Sequence, residues 1–187
     1  MKLLYPLIFL LLSCSTEPEQ IMCSEVTEVE LWGECFDIES TTEINLESEG
    51  LTGSIPLELF NLINLQVLDL NLNNLTGGIP AEIGSLTNLN YISFTNNLTL
   101  GGEIPNEICN LIGLSDLLLS NIQLSGEIPT EIGNLTNLTS LSLSQNQLKG
   151  EIPSEMGTLA KLEYLNLGNN EFTGEIPSEI GNLTNLT

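Results

Sequence analysis

The sequence predicts an α/β solenoid with a parallel β-sheet on the concave side and short helical turns or irregular segments on the convex side. Three observations predict it. First, Ile-Pro pairs begin at Ile55, Ile79, Ile104, Ile128, Ile152 and Ile176, spaced 24 or 25 residues apart. A near-constant period in the range of about 20–29 residues marks coils that each bury a face against the next. Second, each period carries an apolar alternation of strand type, as in Leu65, Leu68 and Leu70. Leu75, Ile79, Ile83 and Leu86 continue the inward set around the coil. Third, breakers fall at fixed offsets. Pro80 suits the first position of a short helical turn, Glu82 lies near that turn's positive end, and Gly84 lets the chain turn out again. Stacked coils then place parallel strands about 4.8 Å apart.

The cleanest copy of the period is LQVLDLNLNNLTGGIPAEIGSLTN, Leu65 to Asn88. Six copies cover Thr41 to Asn185. The template L-x-x-L-x-L-x-x-N-x-L-x-G-x-I-P resembles leucine-rich repeats of the plant-type subclass, which also occur in bacterial surface lipoproteins. The resemblance implies a right-handed solenoid whose template Asn hydrogen-bonds backbone groups of the adjacent loop, here Asn73, Asn97, Asn146 and Asn170. Glu49 and Ile122 replace that Asn in the first and fourth copies, and the third copy, in NNLTLGGEIP, carries one extra residue. A local bulge between Asn97 and Gln123 is expected.

The ends follow different rules. MKLLYPLIFLLLSCS has one Lys and an apolar run from Leu3 to Leu12. That run is shorter than the roughly 20 residues a bilayer span needs, and the pattern is that of a secretory signal. LLSC, Leu11 to Cys14, resembles a bacterial lipobox, which implies cleavage before Cys14 and lipid attachment to it. Residues 1–13 are therefore read as signal peptide, 14–22 as lipidated Cys and polar tether, 23–40 as N-terminal cap, and 41–187 as six repeats with the start of a seventh. The cap, a hairpin or a helix, must cover the open apolar end of the solenoid. WGEC, Trp32 to Cys35, resembles the ending of plant-type caps, and the resemblance implies a Cys23–Cys35 disulfide, worth roughly 3 kcal/mol for a loop of this size. Cys109 takes the place of Gly84 and Gly133 and reads as a small packed residue, left as a free thiol. Leu186 stands where a seventh repeat would begin, without a polar terminal cap, so a truncated C-terminus is expected.

Composition excludes several functions. The chain has 187 residues with 3 Lys plus Arg, 25 Asp plus Glu and no His, giving a net charge of −22. Eleven of the acids lie between Glu17 and Glu49, and ten more are template residues flanking Ile-Pro. Almost nothing is available to neutralise phosphates, so no nucleic-acid partner is expected. The recurring Glu residues are dipole partners on a solvated face rather than a metal site. With no His, no phosphate loop and no zinc spacing, neither catalytic residues nor a cofactor is expected. Cys109 has no base to activate it.

What remains is a non-catalytic extracellular binding scaffold, lipid-anchored in a bacterial cell envelope or at the cell surface. It touches membrane only through that anchor and recognises a protein or peptide, or a glycan, on the concave sheet. The expected contact residues are Asp69, Asn71, Tyr91, Ser93, Thr95, Asp116, Leu118, Ser120, Ser142, Tyr164 and Asn166. Tyr91 and Tyr164 are the aromatics of this surface, three coils or roughly 14 Å apart. Two alternatives stand beside this reading. One is an extracellular or plasma-membrane ectodomain fragment of a eukaryotic receptor-like or secreted protein. It draws on six N-x-T sequons at Asn74, Asn97, Asn134, Asn137, Asn182 and Asn185. The other is an ice-binding or structural repeat protein, with Thr87, Thr136 and Thr184 in a convex column that Ile112 and Ala160 break.

Overall fold

The computed structural model describes residues 23, 24 and 26–187. The expectations for the signal peptide, Cys14 and the tether lie outside the described residues. Strands Glu43–Asn45, Val67–Asp69, Tyr91–Ser93, Asp116–Leu118, Ser140–Ser142 and Tyr164–Asn166 form one six-stranded parallel sheet in chain order. Each strand is one coil further along. The middle residues Ile44, Leu68, Ile92, Leu117, Leu141 and Leu165 are paired in register and point inward. The first five of these are buried, whereas Leu165, in the outermost coil, is half-buried. This single stacked core runs through all six coils, so no residue pair far apart along the axis is needed to hold it.

Beyond each strand the chain turns through one left-handed residue: Ser48, Leu72, Asn96, Asn121, Gln145 and Asn169, with φ between 56° and 62°. Short parallel pairs follow on the flank, Thr52–Ser54 with Asn74–Thr76 and Lys149–Glu151 with Glu171–Thr173. The convex side is a column of five-residue 3-10 turns: Leu57–Asn61, Ala81–Ser85, Asn106–Asn110, Thr130–Asn134, Ser154–Thr158 and Ser178–Asn182. Pro80 does not occupy the first turn position. It precedes the turn in extended conformation, and its carbonyl accepts the first hydrogen bond, from the Ile83 N–H at 3.1 Å. A proline serves there because the position needs a carbonyl and no N–H.

Gly84 also plays a different part from the one expected. It has no left-handed conformation, so it does not steer the chain outward. A Cβ there would lie 2.7 Å from the Glu107 carbonyl oxygen of the next coil, and at Gly133 it would lie 2.8 Å from that of Glu155. Glycine lets neighbouring turns touch backbone to backbone. Phe60 and Cys109 fill the equivalent place in coils one and three, and both are buried between turns.

The asparagine ladder has the same geometry in four coils. Asn73 Oδ1 accepts the Leu51 N–H at 2.9 Å, and its Nδ2 donates to the carbonyls of Leu46 at 2.8 Å and Leu70 at 3.0 Å. Asn97, Asn146 and Asn170 repeat it. At Ile122, fully buried, the ladder is replaced rather than left open. Asn146 Oδ1 accepts both the Ile122 N–H at 3.1 Å and the Leu124 N–H at 3.0 Å. The Leu100 N–H turns back to the Asn97 carbonyl at 3.0 Å, and the Gly101 N–H reaches the Ile122 carbonyl at 2.8 Å. Gln123 adopts φ 61°, outside the periodic set of left-handed residues. The distortion thus falls between Asn97 and Gln123, where one extra residue supplies backbone donors and acceptors for a missing side chain.

A second asparagine column runs along the other flank. Asn64, Asn88, Asn137 and Asn185 each donate at 2.8 Å to a carbonyl of the preceding coil or cap: Glu39, Ile63, Ile112 and Ala160. The cap is an antiparallel hairpin, Glu28–Leu31 with Glu34–Asp37, turning at Trp32 and Gly33. Val29 and Leu31 are buried on the first coil, and Cys23 and Cys35 are joined with their Cα atoms 5.5 Å apart. Among the described residues no helix is long and apolar enough to cross a membrane.

Candidate binding surface

The outward strand positions build the concave surface. One column runs Glu43, Val67, Tyr91, Asp116, Ser140 and Tyr164, and the next runs Asn45, Asp69, Ser93, Leu118, Ser142 and Asn166. The third holds Glu47, Asn71, Thr95, Ser120, Ser144 and Gly168. It is kept in line by hydrogen bonds such as Leu72 N–H to the Thr95 carbonyl and Asn96 N–H to the Ser120 carbonyl. All eleven sequence-predicted contact residues therefore stand on one continuous face.

Their accessibility differs. Ser93, Ser120 and Ser142 are buried beneath their neighbours. Ser120 Oγ lies 2.7 Å from Ser142 Oγ and 3.0 Å from Ser144 Oγ, and Ser93 Oγ donates to Asn71 Oδ1. The Ser120, Ser142 and Ser144 hydroxyls satisfy one another, and together with Ser93 they form the floor. Thr95 and Asn71 are half-buried, with Thr95 Oγ1 donating to the Leu118 carbonyl at 3.3 Å. Tyr91, Asp116, Leu118 and Asn166 are half-buried as well, and Tyr164 is exposed. Tyr164 is the most open, 47% exposed, and its hydroxyl accepts from Asn166 Nδ2 at 3.1 Å. The sequence pattern identified the face but could not separate floor from rim, because both are outward strand positions.

Tyr91 has a distinct environment. Burial raises its hydroxyl pKa above the ordinary tyrosine value, and the Asp69 and Asp116 carboxylates add to that rise. Asp69 is only 8% exposed, and its Oδ1 accepts the Asn71 N–H at 3.0 Å. Asp116 Oδ2 accepts from Ser115 Oγ at 2.6 Å. The three concave columns contain no Lys or Arg.

Two other features bear on chemistry. Cys109 is a buried free thiol whose pKa is pushed up to about 12, first by burial and then by the Glu131 and Glu107 carboxylates. It is protonated at any physiological pH and is no nucleophile. Missed by sequence reasoning is the exposure of Leu72 and Leu98, which border a shallow flank groove of ≈ 430 Å³ with Asn74, Asn96 and Asn121. Leu72 holds a left-handed conformation, φ 56°, unfavourable for a leucine. No signal in the sequence marked this pair, since both stand at variable template positions.

Comparison with known families gives two matches, a leucine-rich repeat region over residues 104–187 and a leucine-rich repeat over residues 64–86. Between them they match more than half of the chain. No curated protein sequence matches significantly. Among solved structures, the chain is 45% identical to part of the Arabidopsis receptor kinase HAESA, crystallised with the peptide hormone IDA and the co-receptor SERK1. That similarity covers 76% of this chain and 24% of the other, with a TM-score of 0.74. It is 41% identical to a repeat protein of Leptospira interrogans, covering 71% of this chain and 32% of that one, with a TM-score of 0.64. A plant ice-binding protein is 30% identical, covering 87% of this chain and 49% of that one, with a TM-score of 0.66. The chain spans less than half the length of each.

Proposed function

The chain belongs to the leucine-rich-repeat proteins, a non-catalytic family, and from that premise we propose that it is an exported scaffold whose concave face binds a peptide or an extended segment of a protein. The observation that carries the reading is the concave face itself. It is a shallow, polar, unpaired surface with a buried hydroxyl floor and two aromatic side chains, Tyr91 and Tyr164, standing on it. Such a surface lacks the enclosed apolar volume of a small-molecule site, and aromatics on a polar plane are the usual anchors of a protein interface. HAESA, similar over three-quarters of this chain, was crystallised with a peptide hormone, which supports a peptide as the partner class. A glycan stacking on the same two rings is the lesser form of this reading.

Export is supported by the Cys23–Cys35 bridge, a bond typical of oxidising compartments. The lipobox-like LLSC that ends at Cys14 and the likeness to a Leptospira repeat protein favour a lipid-anchored protein of the bacterial envelope. The likeness to plant receptor ectodomains favours the second reading, a eukaryotic ectodomain. The sequons carry less weight, because Asn97 is fully buried with its amide committed to the ladder. Expression in a bacterium separates the two. A lipidated product starting at Cys14, lost in Cys14→Ala, supports the first reading, and a soluble product starting elsewhere overturns it.

The concave-face assignment is tested by peptide-array binding of the wild type, Tyr91→Ala, Tyr164→Ala and a convex control, Glu131→Ala. Both tyrosine variants should lose binding while the control keeps it. Loss in the control with retention in both tyrosine variants overturns the assignment.

A further inference from the structure

The concave face is not uniform in charge. Glu43, Glu47, Asp69 and Asp116 lie in its first four coils, while the last two coils carry Ser140, Ser142, Ser144, Tyr164, Asn166 and Gly168. Tyr91 stands within the acidic part, in the third coil. Its strand partner is Asp116, one coil on and about 4.8 Å away across the sheet. On the other side its partner is Val67, so Asp69 is the diagonal neighbour, within the roughly 7–8 Å that an aromatic side chain spans. A phenol ring is thus bracketed by two carboxylates.

Asp69 sharpens this picture. It is the deeper of the two carboxylates, only 8% exposed. Its Oδ1 accepts one backbone N–H, from Asn71, and the concave columns place no cation beside it. The concave columns contain neither Lys nor Arg, so a cation that meets these carboxylates comes from a partner. A guanidinium or ammonium placed over the ring would meet the aromatic face and both carboxylates together, a combination that favours cations over neutral groups.

We propose that Tyr91, Asp69 and Asp116 form a socket for one Arg or Lys side chain of a peptide lying in extended form along the concave face. The socket rests on the peptide-binding reading above and gives it a sequence requirement. Tyr164 stands three coils from Tyr91, roughly 14 Å at the strand spacing, or about four residues of extended chain at about 3.4 Å each. Half-buried Leu118 lies between them as an apolar step. The recognised segment therefore has a cation at one position and, four residues away, a group that packs on the open ring of Tyr164. Net charge opposite to the protein's −22 would also speed its encounter.

The test uses the full chain and a positional-scanning library of N-acetylated, C-amidated octapeptides, so that peptide termini contribute no charge. Retained sequences should be enriched in Arg or Lys at one position. Replacing that Arg by citrulline should weaken binding about tenfold or more, the loss typical of a charge-assisted hydrogen bond. Asp116→Asn and Asp69→Asn should each weaken the Arg peptide by a similar factor and leave the citrulline peptide unchanged. Asn retains the acceptor for the Asn71 N–H, so the fold survives, as the melting temperature will report. Glu131→Gln should change nothing. Retained peptides with no cation preference that still depend on Tyr164 overturn the socket and leave the concave-face reading standing. Peptides that bind independently of both tyrosines, or no binding at all, overturn both. Equal losses in Glu131→Gln and Asp116→Asn show general charge attraction and also overturn the socket.

Discussion

Coil five and coil four solve the same problem in different ways. In coil five, Asn146 reaches back with one side-chain amide and takes up five backbone groups, two N–H and three carbonyls. In coil four, Ile122 stands at the equivalent position and can take up none. The neighbouring backbone closes on itself instead, through Leu100 to Asn97 and Gly101 to Ile122, and Asn146 accepts one more N–H than its counterparts do. The template specifies which backbone groups must be satisfied, not which atom must satisfy them. The substitution at 122 and the extra residue in the preceding coil form one compensated unit.

The largest effect is expected for Asn146→Ala. It leaves the Ile122 and Leu124 N–H groups buried without an acceptor, and should cost about 3–5 kcal/mol. Asn170→Ala, in the half-buried last ladder position, should cost about 1–2 kcal/mol. Urea denaturation of both variants checks the ratio, and equal losses would deny Asn146 its double role. Next in size is Ile122→Asn. If the substitution were an uncompensated defect, restoring the template residue would stabilise. Because the Leu100 N–H is already engaged, the new amide is buried without full partners and should destabilise by about 2 kcal/mol.

Smaller effects are expected on the convex side and the flank. Gly133→Ala forces a methyl against the Glu155 carbonyl and should cost about 1–2 kcal/mol, whereas Cys109→Ala, where the turns already stand apart, should cost less than about 1 kcal/mol. Leu72→Asn replaces a strained, exposed leucine with a residue that tolerates the left-handed region and should gain about 0.5 kcal/mol. Cys109 itself should resist alkylation at pH 8 until the protein is denatured. Its raised folded pKa means that the protonated thiol contributes stability fully below pH 9, and that this contribution is lost as pH rises from 9 towards about 12. Melting temperatures of wild type and Cys109→Ala across that range should converge.

Much of this molecule was legible in the sequence because its chemistry is local and repeated. The 24-residue period fixed which leucines face inward, which strand residues face outward, and which asparagines form the ladder. Each coil touches only its neighbours, so the register Glu43–Val67–Tyr91–Asp116–Ser140–Tyr164 could be counted along the chain. Even the location of the distortion followed from two adjacent departures, at the extra residue and at Ile122. The cap could be read only as a hairpin or a helix, since it lies outside the repeat and its short alternating pattern suits more than one element.

Properties that depend on how closely coils approach were decided by the tertiary structure alone. A glycine that recurs at one offset looks the same whether it bends its own chain or makes room for the next. Only the 2.7 Å separation at Gly84 shows which. Outward serines look alike in a string of letters, but packing between coils buries Ser93, Ser120 and Ser142 and leaves Tyr164 open. The pairing of Tyr91 with two carboxylates likewise arises across three coils, between residues 22 to 47 positions apart in the chain. The sequence sets the period by local chemistry. Distances between one period and the next are set by packing, and on those distances burial, strain and charge at the binding face depend.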